Sequence, residues 1–348
     1  MCTEKLEQVI AQIQGDRVLV APLDWGLGHA TRCVPIIKSL LNHQKKVFLA
    51  GSGNSFSFLK KEFPKLECVE LPSMSVLYSK KGSLIGAMIK QLPYFIFHIF
   101  KEHFLLKSIV CRYDIQTVIS DNRFGLWCQS VESIYITHQI MVKMPRGFRF
   151  LERAAYGLHK FFISRYNSCW IPDVEGEDNL SGDLSRKYTL PKNAIFIGWL
   201  SRFSYFNFIE SSPYKVLALI SGPEPQRSIF EKEMLIKMKN ISERCLLIRG
   251  LPFSSSTSIL ENVHIVSHLD TKTLQFLLHK TPIIYCRSGY STLMDLAVLK
   301  RRAVLLPTPG QTEQEYLASY NKGMCLDELD ALKSILNKKG EDNFVMLK

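Results

Sequence analysis

Three short segments group glycines with histidine, hydroxyl, amide and carboxylate side chains. The first is Asp24-Trp-Gly-Leu-Gly-His-Ala-Thr-Arg32. Gly26 and Gly28 let a backbone turn tightly and approach a ligand closely. The helix that opens here presents free N–H groups and a positive dipole end, suited to a phosphate or a sugar hydroxyl. His29 is the side chain in this segment suited to proton transfer near neutral pH. Taken alone, it reads as a histidine that merely caps the helix; the surrounding glycines and the position beyond a strand end point toward function. The second segment is Tyr285-Cys-Arg-Ser-Gly289, followed by Thr292 and Asp295. A carboxylate at Asp295 can accept hydrogen bonds from two vicinal ribose hydroxyls. The plainer reading is a charge that complements a helix dipole. The third is Leu306-Pro-Thr-Pro-Gly-Gln-Thr-Glu-Gln-Glu-Tyr316. Its cluster of Gln311, Glu313, Gln314 and Glu315 suits hexose hydroxyls, each of which is both donor and acceptor. The plainer reading is a helix start capped through a Thr312-to-Glu315 box.

Two familiar phosphate loops do not fit. A dinucleotide fingerprint needs a third glycine and an acidic residue after the second strand. Thr31 stands at the former position, and the second strand runs into Ala50-Gly-Ser52. There is also no GxxxxGK[ST] loop.

The elements that must carry these segments alternate. Arg17–Ala21 is a short apolar run before Pro22, and helical periodicity spans Thr31–Leu41. Lys46–Ala50, Ile115–Ile119 and Ile134–Thr137 read as further strands. A stretch from Gly198 to Pro213 lacks clean periodicity. The alternation then restarts with Lys215–Ile220, a turn at Ser221-Gly-Pro-Glu-Pro225, and strands at Cys245–Ile248, His264–Val266, Pro282–Tyr285 and Ala303–Leu306. Such βαβ alternation predicts parallel sheets covered by helices. The fold class is therefore α/β, with two doubly wound Rossmann-like domains, residues 1–200 and 201–348. Ligands in such sheets bind beyond the carboxyl ends of the strands, which is where all three segments fall.

Composition narrows the setting. The 348 residues suffice for two domains, and 46% are hydrophobic, enough for sizeable cores. Nine scattered cysteines without a CxxC pair read as reduced thiols in a cytoplasmic protein, not a zinc site. No apolar leader opens the chain. The formal charge of +12 suits nucleic acid, anionic lipid or a phosphorylated small molecule. Nucleic-acid recognition motifs are absent, so no nucleic-acid partner is expected. Leu84–Leu106 is the most apolar region, but Lys90, Pro93, Lys101 and Glu102 interrupt it, so it does not read as a membrane span. It carries Tyr94, Phe95, Phe97, Phe100 and Phe104. Met144–Arg165 mixes five cations with Phe148, Phe150, Phe161 and Phe162. Mixed basic and aromatic faces suit peripheral contact with an anionic membrane. They read equally as N-domain core with solvated cations.

Cys286-Arg-Ser-Gly-Tyr-Ser-Thr-Leu-Met-Asp295, with Leu306-Pro307 and Glu313-Gln-Glu-Tyr316, resembles glycosyltransferase family 28, and within it the MurG-type N-acetylglucosaminyltransferases. The resemblance implies a GT-B fold with the active site between the domains, and a metal-independent inverting transfer from a UDP-sugar without a cofactor. It places the donor's ribose on Asp295, near Thr292, and its hexose on Gln314 and Glu315. Glu315 stands where the family has a second glutamine. His268 and Leu269 match the uracil segment, Arg202 the linker arginine, and Ser221, Gly222, Ser288 and Gly289 the diphosphate turns. His29 becomes the candidate base, with Gly26, Gly28, His138 and Gln139 on the side of a lipid-linked or small-molecule acceptor. A nucleotide-sugar hydrolase or epimerase, or a noncatalytic nucleotide-sugar sensor, would share the donor pocket.

Overall fold

The computed structural model describes residues 2–72, 84–206, 208–331 and 333. Two sheets organise them. The first contains β1 (Arg17–Pro22), β2 (Lys46–Gly51), β3 (Glu67–Glu70), β4 (Thr117–Asp121), β5 (Glu132–Ile136), β6 (Ser168–Ile171) and β7 (Ala194–Phe196). Its strand order is β3-β2-β1-β4-β5-β6-β7, parallel throughout. The second contains β8 (Val216–Leu219), β9 (Cys245–Ile248), β10 (Thr257–Leu260), β11 (Val263–Val266), β12 (Ile283–Cys286) and β13 (Val304–Leu305). Its order is β10-β11-β9-β8-β12-β13, and only β10 runs antiparallel. The two doubly wound Rossmann-like domains expected from the alternation are present.

The central strands are apolar on both faces because helices cover both. Val18, Leu19, Val20 and Ala21 have no exposed surface. The covering helices are α1 (Cys2–Ala11), α2 (Leu27–Asn42), α3 (Gly53–Glu62), α4 (Leu84–Tyr113), α5 (Glu152–Ile163) and the short α6 (Asp183–Arg186). In the second domain they are α7 (Gln226–Lys239), α8 (Thr271–Lys280), α9 (Tyr290–Val298) and α10 (Thr312–Tyr320). Leu6, Val9 and Ile10 of α1 join Val34, Ile37 and Leu40 of α2 in one core, on the helical spacing that makes an amphipathic face.

Several elements differ from the pattern reading. Helix α2 starts at Leu27 rather than near Thr31, because Gly26, at φ 82°, turns the chain straight into it. His29 thus lies in the helix's first turn. β4 continues to Asp121, two residues beyond its apolar run, because its backbone stays paired with Pro22 and Ile136. β3, β6, β7 and β10 were not read as strands; each is short, and all four residues of β10 are exposed. Thr312 does not cap α10. Its hydroxyl donates to the Lys143 carbonyl of the other domain (2.7 Å), and Glu315 instead accepts from Gly310 N–H. The domain reading also allows a last helix to pack back on the first domain; it would fall outside the described residues.

The domains touch across the cleft between their ligand-side turns. Ser291 Oγ donates to the Gly28 carbonyl (2.9 Å), so a side chain at Gly28 would collide with Ser291. Tyr290 donates to the Pro172 carbonyl (2.9 Å), and Tyr316 Oη accepts from Asp183 N–H (2.7 Å). Among the described residues no helix is long and apolar enough to cross a membrane. Eight of the cysteines are free thiols.

Candidate active site between the domains

The centre of the cleft is a buried charge. Asp121, at the carboxyl end of β4, has no exposed surface. Arg32, two turns into α2 and 2% exposed, donates through Nε to Asp121 Oδ2 (2.7 Å) and through Nη2 to Oδ1. A carboxylate without solvent needs such compensation. Burial alone would raise the Asp121 pKa, but Arg32 and then His29 outweigh it and hold the carboxyl well below its usual range.

His29 lies one turn before Arg32 on α2, so both side chains reach Asp121. Its Nδ1 is 3.2 Å from Asp121 Oδ1. Arg32 Nη2 carries two hydrogens and lies within hydrogen-bond distance of both this nitrogen (2.9 Å) and Asp121 Oδ1. The tautomer with Nδ1–H donating to Asp121 leaves Nε2 to take a proton; in the other, Nδ1 accepts from Arg32 and Nε2 carries the hydrogen. Burial, then the Arg32 charge, pushes the His29 pKa down, while Asp121 pulls it up; the net direction is down. The imidazole is therefore neutral at pH 7, the form a general base needs.

The network continues across the cleft. His138, in the turn after β5, has Nδ1 3.2 Å from Arg32 Nη1 and Nε2 2.8 Å from Glu313 Oε1 of α10. Its ring stacks on Tyr290 of α9 with centroids 4.0 Å apart and planes 6° apart. Burial opposes ionisation of Glu313, but His138, then His29 and Arg32, outweigh burial and lower its pKa.

Beside this centre sits a second cation. The Arg202 guanidinium lies over the rings of Phe203 (5.0 Å) and of Phe58 from α3 (5.2 Å). Its Nε and Nη1 are buried without a hydrogen-bond partner. Burial lowers its pKa, opposed by Asp295, Glu62 and Asp270. Asp295 accepts from Ser201 Oγ (2.5 Å), and burial lifts its carboxyl to about 6 against the pull of Arg202 and Ser201. His268 meets Phe58 edge-on (5.9 Å); burial, then Arg202 and Lys61, lowers it to about 4.

The sequence-derived residues thus fall into groups. His29, His138, Gly28 and Gly26 surround the buried charge, with Gln139 half-buried in the same turn. Arg202, Asp295 and His268 lie together on the other side, and Leu269, next to His268, is partly buried against the core. Gly222, at φ 111°, and Gly289, which starts α9, have open space where a side chain would stand, so their backbones are accessible to a ligand. Ser221 and Thr292 are half-buried, and Ser288 is buried, donating to the Gln314 carbonyl (2.8 Å). Gln314 and Glu315 turn toward their own loop. Gln314 Oε1 accepts from Thr308 N–H (2.8 Å), and Glu315 is exposed. Glu313 is the member of that trio that faces the cleft. Asp121 and Arg32 were not singled out in the sequence. The available signal was a carboxylate ending an apolar strand, at the sheet edge where ligands bind.

No family model matches this sequence, and no curated protein matches it. Solved structures do match. The spinosyn rhamnosyltransferase SpnG is 11% identical with a TM-score of 0.57, over 92% of this chain and 88% of that one. SsfS6, a glycosyltransferase of Streptomyces sp. SF2575, is 10% identical with a TM-score of 0.56, over 95% and 93%. Acinetobacter baumannii MurG is 10% identical with a TM-score of 0.50, over 93% and 90%. The fold is GT-B. At these identities MurG is not singled out from the other GT-B enzymes.

The site makes one electrostatic prediction. Histidine-selective NMR should place the His29 titration midpoint below the ordinary value of about 6.5. Asp121→Asn should move it further down, because the carboxylate is the group that raises it. A midpoint at or above 6.5 would contradict the arrangement.

Proposed function

We propose that this protein transfers a hexose from a UDP-sugar to a hydroxyl of a membrane-proximal acceptor, with inversion. The supporting observation is a neutral imidazole oriented by a buried carboxylate, facing open glycine turns of a second Rossmann-like domain across one cleft. In this reading the donor lies on the second domain. Asp295 accepts from the ribose hydroxyls, and His268 and Leu269 line the base. The Ser221–Gly222 and Ser288–Gly289 turns face the diphosphate. Arg202 answers the charge that develops on departing UDP, and that anion gives its orphaned nitrogens the partner they lack. His29 Nε2 takes the acceptor's proton as the new glycosidic bond forms and the bond to UDP breaks. Asp121 keeps Nδ1 protonated and stabilises the imidazolium that results. Gln314, Glu315 or Glu313 would contact the hexose once the cleft opens.

A lipid-linked acceptor is supported by the outer face of the first domain. Phe97, Phe104, Phe150 and Phe161 are 64%, 65%, 74% and 51% exposed. Lys101, Lys107, Arg149, Arg153, Lys160 and Arg165 are exposed among them. Residues 93–113 and 144–165 contain two carboxylates, Glu102 and Glu152. Both turn inward, to Arg123 (2.7 Å) and Lys187 (2.5 Å). Arg165 lies over both Trp127 and Phe161, and Trp127 packs at a tilt against His103 of α4 (centroids 4.2 Å), so the two stretches join into one cationic, aromatic face. That composition suits an anionic lipid surface.

Two measurements check this reading. Calorimetry against UDP, UDP-sugars, GDP-mannose and dTDP-sugars should show binding of a UDP-sugar, weakened by about tenfold or more in Arg202→Ala and Asp295→Ala. A folded protein that binds no nucleotide would overturn the donor assignment. Flotation with liposomes should show salt-sensitive binding to anionic vesicles that falls in Phe150→Ser/Phe161→Ser. Equal recovery with neutral and anionic vesicles would count against a membrane acceptor.

A further inference from the structure

Asp121 is followed by a backbone that L-residues rarely adopt. Asn122 has φ 59°, in the left-handed region, where asparagine is among the best-tolerated non-glycine residues. Its N–H donates to the Ile136 carbonyl (3.1 Å), which fixes where the turn begins. Its side chain is held separately. The hydroxyl of Tyr135, on β5 and without exposed surface, lies 2.9 Å from Asn122 Oδ1. The same hydroxyl is 3.3 Å from Nε2 of His159, a buried residue of α5. His159 Nδ1 is 3.2 Å from the Ile140 carbonyl oxygen.

The chemistry of these four groups is constrained. A carbonyl oxygen only accepts, so His159 Nδ1 carries the proton and Nε2 presents a lone pair. Burial pushes His159 down to about 4, so the ring stays neutral and cannot donate from both nitrogens. Tyr135 has one hydroxyl proton for two acceptors. A half-turn of the Asn122 amide, which exchanges its oxygen and nitrogen, lets every group pair: Asn122 to Tyr135, Tyr135 to His159, His159 to Ile140. The rings are packed as tightly as they are bonded. Tyr135 contacts Phe124 (5.8 Å), Tyr166 (5.0 Å) and His159 (5.8 Å). Nothing in the proton transfer by His29 uses this buried polar chain, and an apolar core would be cheaper than one satisfied only in part.

We propose that Asn122, Tyr135 and His159 are positioning residues that lock the left-handed turn after β4 onto α5 and thereby hold the Asp121 carboxylate against His29 and Arg32. The lock is additional to the ion pair. Arg32 fixes where the carboxylate charge sits, while the Asn122 anchor fixes the backbone from which it projects. Two hydrogen bonds on the far side of the same turn, from Ser120 Oγ and Tyr166 Oη to the Arg123 carbonyl (2.7 Å each), hold its other end. The outer face of α5 carries Lys160 and Phe161, so the helix that meets the solvent or lipid side is tied through His159 to the catalytic carboxylate.

The test reads His29 directly, and only its activity arm rests on the transferase reading. The charged and titratable groups that face His29 are Arg32 on its own helix, Asp121 from β4, His138 after β5 and Glu313 from α10. Neither Tyr135→Phe nor Asn122→Gly alters any of these four side chains, and the anchor they remove sits on the turn next to Asp121. Tyr135→Phe removes the hydroxyl and keeps the ring; Asn122→Gly keeps the left-handed backbone and removes the anchor. With His29 assigned through His29→Gln, histidine-selective NMR should show the His29 midpoint lowered by about half a pH unit or more in both variants. kcat should fall about tenfold or more with donor KM unchanged. A His29 midpoint unchanged in both variants, with only Tm reduced, would overturn the proposal and leave the chain a packing feature. A shifted midpoint in a protein without turnover would uphold the lock and refute the transferase reading instead.

Discussion

The rest of the site depends on one buried ion pair. Asp121 and Arg32 are almost without solvent, and each is tolerable only because of the other. Removing one partner of such a pair costs about 3–5 kcal/mol, because the remaining charge is left buried and uncompensated. The pair joins the end of a central strand to the start of the helix that covers it. That geometry is what brings His29, one turn earlier on the helix, to the same carboxylate. The hydrogen-bonded contacts continue through His138 to Glu313 of the other domain, so a polar chain spans the cleft.

The same arrangement separates two kinds of cation. Arg32 is saturated by Asp121 and serves structure and orientation. Arg202 is held between aromatic rings with two nitrogens unpaired, so it retains capacity for an anion from outside. The domains meet at Gly28–Ser291, Lys143–Thr312 and Asp183–Tyr316.

Much of this was legible in the sequence. The apolar runs at Arg17–Ala21, Lys46–Ala50 and Cys245–Ile248 read as strands and form buried parallel strands, and Gly26, Gly222 and Gly289 fall in the turns that follow strands. Local pattern carries that information because it depends on neighbours in the chain. Asp121 and Arg32 were not legible. Each looks ordinary beside its neighbours, and their partnership crosses 89 positions. Glu313 faces His138 while Gln314 and Glu315 turn to their own loop, and the rotation of α10 that decides this is set by Thr312 on Lys143 and Tyr316 on Asp183, contacts with the other domain. A one-residue change in which side chain faces the cleft needs those distant partners to be known. β7 and β10 were missed because a strand of three or four residues with exposed faces carries no alternation to read.

The measurement that bears most directly on the account is the rate of UDP release from the bound UDP-sugar in the presence of membrane lipid extract, for the native protein and for His29→Ala. The account predicts a fall of about a hundredfold or more in His29→Ala, with donor affinity and Tm unchanged and the sugar recovered on lipid from the native reaction. Equal rates in the two proteins would contradict the assignment of His29 as the base. Free sugar as the sole product would contradict transfer and identify a hydrolase.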